Sequence, residues 1–392
     1  MLAEPATRGL IAARALRGFA DGFASVLLAR YLVGLGFSAV EIGVLVTATL
    51  LGSAVLTLLA GFRLSGYGAR HVLLAACALM AVTGLGFGFF TWFWALVLVG
   101  FIGTLNPSGG DVSLFLPTEQ AAIAHATDAR ERPRVFGVYN LAGALGGAAG
   151  ALASALPSRI ASAGGWEVLR VERLSFLIYV ITALIAASMY ARMRDALPGP
   201  SMTTGLHKSR RVVLKLSALF ALDSAGGGFA LQSLLVLYLF VRFHLSPAAT
   251  GATLAATGVL SAFSQLASAP IAKRIGLVRT MVFTHLPANA CLIAAGIVPN
   301  AAAAITLLLV RSALSQMDVP VRQALVMRLV EPDERAAAAS VTNVPRSLGT
   351  AATPALAGVL LDHSAFGWPL IIAGALKISY DLLLLAQPLD RD

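Results

Sequence analysis

The sequence predicts an all-α polytopic membrane protein, with about twelve transmembrane helices in two pseudo-symmetric six-helix bundles. Three observations lead there. Of the 392 residues, 58% are hydrophobic and only 12% charged, whereas a soluble domain carries roughly 25% charged residues. The mean hydropathy is +0.81. Apolar stretches of bilayer length recur along the whole chain, and the second half repeats features of the first.

A helix needs roughly 20 residues to cross about 30 Å of hydrocarbon. Charged and Pro/Gly breaks divide the chain into spans at 10–32, 40–62, 71–90, 93–123, 135–156 and 174–191, then 212–241, 248–270, 280–298, 301–330, 337–361 and 367–387. The fourth, seventh and tenth are longer than a straight crossing requires, so they tilt, bend or extend beyond the bilayer. The glycine clusters at 143–150 and 226–228 suit close helix packing, and the second also suits a bend in span seven. Phe89, Phe90, Trp92, Phe93 and Trp94 read as an aromatic belt at the outer interface.

Charge sets the orientation. With the N-terminus inside, about 18 Lys/Arg fall on cytoplasmic segments and about four outside (Arg159, Arg170, Arg173, Arg242). Both termini are then cytoplasmic, in a multi-pass plasma (inner) membrane protein. A basic, Pro/Gly/Ser/Thr-rich stretch at 192–211 joins an N-terminal bundle (1–191) to a C-terminal bundle (212–392). The net charge of +10 belongs to positive-inside loops and lipid headgroups rather than to nucleic acid. Cys77 and Cys291 both lie in apolar stretches, which excludes a disulfide scaffold or a CxxC metal site. No phosphate loop, HExxH or GxSxG occurs, and the histidines lack metal-ligand spacing. The reading is therefore not an enzyme, with no cofactor and no metal, and a monomer.

The repeat is specific. Gly43 to Gly68 is 25 positions, as is Gly251 to Gly276. Pro117-Thr118-Glu119-Gln120-Ala121 on span four matches Pro320-Val321-Arg322-Gln323-Ala324 on span ten. Eleven residues after each glutamine stand Glu131-Arg132 and Glu334-Arg335, and nine after each glutamate come Asn140 and Asn343. Asp111-Val112 and Asp318-Val319 also correspond. Parallel six-helix repeats of this kind characterise one class of transporter.

On these residues the chain resembles the major facilitator superfamily over nearly its whole length. The family's loop signature after span two is degraded here to Gly61 through Arg70, with Ser65 at the aspartate position. The second copy keeps Arg274, Gly276 and Arg279 but has Lys273 at the acidic position. The antiporter glycine–proline signature lacks its proline on span five, while Gly349, Thr353-Pro354 and Gly358 on span eleven come closer. The resemblance implies that spans one, four, seven and ten line a central cavity.

Most in-span charges lie on those four spans, where an ionisable group needs a partner or water. Arg14, Arg17, Asp21 and Ser25 share one face of span one. Asp21 and Asp223 each sit about a dozen residues in, near mid-depth at 1.5 Å per residue. Arg311, Asp318 and Arg322 share a face of span ten, and Asp111 and Glu119 lie on the inner half of span four. A wet passage between the bundles is expected to shelter these groups.

Asp21 is the leading proton carrier, alternating between Arg17 and Arg311, or else standing in a permanent pair with Arg17 or another cavity arginine. Asp223 is a further cavity carboxylate. Asp111 and Asp318 are repeat-equivalent like charges, so proximity would favour a proton on one. Glu119 and Arg322, equivalent and opposite in sign, form either a cytoplasmic gate or a standing ion pair. Arg346 either binds a span-ten carboxylate or reaches the cytoplasm. Lys377 and Asp381, at i and i+4, are expected to neutralise each other, and Arg30 to snorkel to the surface.

The function expected is secondary transport of a small organic solute by alternating access, coupled to protons. The resemblance includes efflux permeases, and export by antiport is preferred. Import of a sugar or organic acid by symport is the first alternative, and a membrane sensor or scaffold is the alternative of another class.

Overall fold

A computed structural model describes residues 5–63, 68–107, 115–127, 132–193, 208–331 and 334–387. All regular structure within them is helical. The first half contains α1 (Pro5–Gly34), α2 (Ala39–Arg63), α3 (Ala69–Phe89), α4 (Phe93–Ile102), α5 (Phe115–Ala126), α6 (Arg132–Ala153), α7 (Leu156–Gly164), α8 (Val168–Ser175) and α9 (Leu177–Arg192). The second contains α10 (Arg210–Phe229), α11 (Gln232–Phe243), α12 (Pro247–Ile275), α13 (Leu277–Ile297), α14 (Ala301–Ser315), α15 (Asp318–Leu329), α16 (Arg335–Ala352), α17 (Pro354–His363) and α18 (Trp368–Leu385). Asp111, residues 64–67 of the loop signature and residues 194–207 of the linker lie outside the described residues.

Nine segments of the described residues are long and apolar enough to cross a membrane. The expected spans absent from that set are α1, which carries Arg8, Arg14, Arg17, Asp21 and Arg30, the divided α4–α5, and α16–α17, which carries Thr342, Pro345 and Arg346.

Several expected spans are divided, and local chemistry explains where. Proline lacks an amide proton and is tolerated in a helix's first turn, whose N–H groups have no intrahelical acceptor. Pro157 and Pro354 therefore open α7 and α17, and Pro320 stands in the first turn of α15. The long seventh and tenth spans both divide, α10 ending directly after Gly226–Gly228 and α14 at Ser315.

Helix pairing repeats between the halves. The pairs α1–α6, α3–α9 and α2–α4 are matched by α10–α16, α13–α18 and α12–α14. Glycine permits the tightest of these approaches. A Cβ on Gly22 would collide with the Gly147 carbonyl, and one on Gly18 with that of Gly143, so the two helices cross with backbones in contact.

The halves meet through α6–α12, α2–α17, α2–α16 and α1–α11. The closest contacts cluster at the end of the molecule opposite the linker. There a Cβ on Gly43 would lie 2.5 Å from the Pro354 carbonyl oxygen, and one on Gly358 would strike the Ala39 carbonyl. The Ala355 N–H, an otherwise orphaned donor in the first turn of α17, donates to Thr47 Oγ1 at 3.0 Å. The Ser233 N–H donates to the Pro107 carbonyl at 3.1 Å. At the linker end, Lys208 and Ser209 N–H donate to Glu334 at 2.8 and 2.9 Å, which ties the linker's exit to the second half.

Gly358→Leu should break this far-end seal, because overpacking costs about 1–3 kcal/mol. A cysteine placed at Thr47, with Cys77 and Cys291 replaced by serine, should then react faster with a membrane-impermeant maleimide. An unchanged rate would show that this contact does not close the far end.

Candidate functional site

The charged face of α1 is buried along its length. Arg14, Arg17, Asp21 and Ser25 are each less than 9% exposed. Arg17 forms an ion pair with Glu119 of α5. Its Nε donates to the Tyr190 hydroxyl at 3.2 Å, and its guanidinium lies 4.1 Å from the centroid of the Phe115 ring. Glu119 also accepts the hydroxyls of Tyr139, at 2.5 Å, and Tyr190, at 2.6 Å. Burial of an ion pair costs more than the Coulomb attraction returns unless the remaining hydrogen-bonding capacity is filled, and the two tyrosines fill it.

Asp21 lies one helical turn further along α1. The Tyr179 hydroxyl stands between Asp21 Oδ1, at 2.7 Å, and the Thr104 carbonyl, at 3.0 Å. A hydroxyl has one proton. When Asp21 is ionised that proton serves the carboxylate. A protonated Asp21 would donate to the tyrosine oxygen, and the tyrosine proton would turn to Thr104.

The second half holds a counterpart of opposite sign. Asp223 of α10 accepts Lys377 Nζ of α18 at 2.6 Å and Arg322 NH1 of α15 at 3.3 Å. Arg322 also pairs with Asp318, four residues before it, at 3.1 Å. Asp381 accepts from Asn289 at 3.0 Å and lies 2.9 Å from His285 Nδ1. The other ring nitrogen of His285 stands 4.0 Å from Asp223. The Tyr380 ring packs edge-on against His285, with centroids 6.2 Å apart.

The two clusters use equivalent helices. The first pairs a cation on the opening helix of its half, Arg17, with an anion on α5, Glu119. The second pairs an anion on the opening helix of its half, Asp223, with a cation on α15, Arg322. The α9 tyrosine and the α18 lysine each complete the set.

Several expectations are corrected by this arrangement. Glu119 and Arg322 do not form a standing ion pair: each is saturated by partners in its own half. Lys377 and Asp381 do not neutralise each other, because Lys377 reaches across to Asp223 while Asp381 takes His285 and Asn289. Arg30 does not snorkel; it is ion-paired with Glu172 of α8. Asp21 takes Tyr179, and Arg17 is engaged by Glu119. The passage does not hold these groups open to water, for Asp21, Asp223, Asp318 and Arg322 are all buried.

Arg311 on α14 and Arg346 on α16 are half-buried beside the second cluster. Arg311 lies in the field of Asp223, and its Nε has no hydrogen-bond partner among the described residues. Arg346 lies in the field of Arg322, Asp223 and Asp318. Sequence reasoning missed Tyr139, Tyr179, Tyr190, His285 and Asn289. The available signal was a tyrosine in the interior of an apolar helix, whose hydroxyl must find an acceptor when buried. Among the described residues no group of histidine, cysteine and carboxylate side chains could hold a metal ion.

Helices of bilayer length, a repeated pairing scheme and buried charge at equivalent places define a polytopic membrane protein built from two similar halves. The Major Facilitator Superfamily model matches residues 10–315 and 218–391, and the chain belongs to that family. It is accordingly a multi-pass membrane protein that moves a small solute by alternating access, and not an enzyme. An uncharacterized membrane protein of Saccharomyces cerevisiae is 26% identical over 96% of this chain and 92% of its own length. Among solved structures, a D-xylose–proton symporter is similar with a TM-score of 0.75, at 15% identity over 97% of each chain. An inward-facing bacterial homologue of the human lysosomal transporter Spinster has a TM-score of 0.73 at 15% identity, over 97% of this chain and 95% of its own.

Loss of the Lys377 ammonium in Lys377→Met should destabilise the protein by about 1.5–3 kcal/mol, the range for hydrogen bonds to charged groups. In a double-mutant cycle read by thermal unfolding, Asp223→Asn should recover part of that loss and Asp381→Asn none. Recovery by Asp381→Asn would restore the i, i+4 pairing.

Proposed function

We propose that this protein imports a small polar organic solute together with protons, through twelve spans arranged as two six-helix bundles, 1–191 and 212–392. The bundles are joined by a cytoplasmic linker at 192–211, with both termini cytoplasmic in a plasma or inner membrane. Rocking of the bundles alternates access. The far-end contacts of α2 with α17 and α6 with α12 correspond to an inward-facing arrangement in this orientation.

The observation that carries the proton-coupled reading is Asp21 with Tyr179 and Thr104. It is a buried carboxylate whose neighbours reorganise to suit either protonation state, one turn from the Arg17–Glu119 pair. Asp223 and Asp318 are the corresponding acids of the second half, and Asp111 is assigned with them from its place in the repeat. Substrate contact falls to Arg311, while Arg17, held by Glu119, serves the charge relay beside Asp21. In the second cluster four basic side chains (Arg311, Arg322, Arg346, Lys377) face three acids (Asp223, Asp318, Asp381), which favours a solute with anionic or hydroxyl-rich character. Glu119, Arg322 and Arg346 are assigned to the linker-end mouth, where closure would bring the bundles' inner ends together. Likeness to a D-xylose–proton symporter supports import over the export preferred from sequence.

Flux in oriented vesicles with a panel of sugars and organic acids tests the reading. Right-side-out vesicles with an acid exterior should accumulate solute. Asp21→Asn should lower accumulation by about 5–150-fold, the span of a typical coupling energy, while solute exchange without a gradient persists. Accumulation only in everted vesicles with an acid interior would replace import with antiport, and undiminished accumulation by a folded Asp21→Asn protein would remove Asp21 from the mechanism.

A further inference from the structure

Away from both buried clusters, at the far end of the first half, lies a cavity of about 360 Å³ lined by Leu35, Thr91, Glu167, Leu169, Arg170 and Arg173. Its size falls at the small end of ligand sites, about 300–1,000 Å³. It sits between the end of α1, the α3–α4 turn and α8. Neither Arg170 nor Arg173 has a carboxylate at ion-pairing distance among the described residues, since the nearby Glu172 is taken by Arg30. The Arg173 Nε is buried without a hydrogen-bond partner among the described residues. Glu167, an exposed lining residue, stands beyond ion-pairing distance of either guanidinium. The cavity thus presents two cations and, apart from them, one anion.

The surroundings place it at the level of lipid headgroups. Trp92 follows Thr91 and Trp166 precedes Glu167, and both tryptophans are more than 60% exposed. Exposed tryptophan is characteristic of the membrane–water interface. From the cavity an exposed apolar stripe, Leu174, Leu177, Ile181 and Leu184, runs down α8 and α9 toward the linker end. Spacings of three, four and three keep it on one helical face. An acyl chain laid along that stripe would bring its headgroup to the arginines.

We propose that this cavity is a binding site for a phospholipid headgroup bearing both a phosphate and a primary ammonium, as in phosphatidylethanolamine. Arg170 and Arg173 take the phosphate, with the orphaned Arg173 Nε supplying a donor, and planar guanidinium groups suit phosphate oxygens. Glu167 takes the ammonium, whose three N–H donors a carboxylate accepts and whose counterpart in phosphatidylcholine has none. The stripe on α8–α9 holds the chain.

Native mass spectrometry of the full-length protein, with phosphatidylethanolamine, phosphatidylglycerol or phosphatidylcholine added separately at equal concentration, tests this. Soluble phosphoethanolamine and inorganic phosphate serve as headgroup-only probes. Phosphatidylethanolamine should bind ahead of phosphatidylcholine. Arg170→Gln alone, and Arg170→Gln with Arg173→Gln, should weaken phosphatidylethanolamine and phosphatidylglycerol binding roughly fivefold per arginine. Glu167→Gln should weaken phosphatidylethanolamine and leave phosphatidylglycerol unchanged. Arg170 is exposed, so its replacement spares the fold. Unchanged phosphatidylethanolamine binding in the Arg170→Gln variant would overturn the site, as would equal losses of both lipids in Glu167→Gln. Binding of phosphoethanolamine or inorganic phosphate as tight as that of the lipid would overturn the lipid as its occupant.

Discussion

Arg17 and Glu119 are 1% and 0% exposed in a helix bundle of bilayer dimensions. Separating such a pair, by removing one member, leaves a buried charge that costs about 3–5 kcal/mol. Each half therefore has to complete its own electrostatics before it can pack. The first does so with two tyrosine hydroxyls on one carboxylate, and the second with a lysine and an arginine on one aspartate. These bonds all stay within one half. Two units whose buried ion pairs close internally can rotate against one another without separating those pairs, which is what alternating access requires of its moving parts.

Contact between the halves is of a different kind. It rests on backbone approach at Gly43 and Gly358 and on single hydrogen bonds such as Ala355 N–H to Thr47. Small residues and, among the described residues, isolated hydrogen bonds give contacts that separate at lower cost than the ion clusters would. Divided spans extend the same division of labour. Breaks before Pro320 and Pro354 and after Gly226–Gly228 allow the two ends of a span to follow different neighbours. At the break after Gly226–Gly228, α10 carries Asp223 while α11 packs against α1 of the other half.

Much of this was legible in the sequence because it depends on local rules. Hydropathy and length located the helices, the 25-residue spacing and the matched Gln120 and Gln323 located the repeat, and the i, i+3, i+7 spacing put Arg17 and Asp21 on one buried face. Partner choice was less legible. Lys377 and Asp381 satisfy the i, i+4 rule on one helix, yet α10 and α13 offered each a better partner from outside that helix. Which neighbour a side chain meets depends on how helices are rotated against one another, a property that periodicity leaves open. His285 escaped notice for the same reason: its significance lies in being within 4.0 Å of acids on both α10 and α18. Glu119 and Arg322 stand in separate clusters of their own halves rather than in contact, because equivalence in a repeat fixes a place on a helix and not a partner.

The claim that each half moves as one unit with its ion pairs closed internally is tested most directly by double electron–electron resonance on spin-labelled protein in nanodiscs, compared at acid and neutral pH. Labels on the exposed residues Arg192 and Lys273 report the separation of the halves at the linker end, and labels on Ser162 and Ser246 report it at the far end. His71 with Arg192, and Arg211 with Lys273, report distances within each half. The account predicts that the two inter-half distances change in opposite directions while both intra-half distances stay fixed. An intra-half distance that changes as much as the inter-half ones would contradict it.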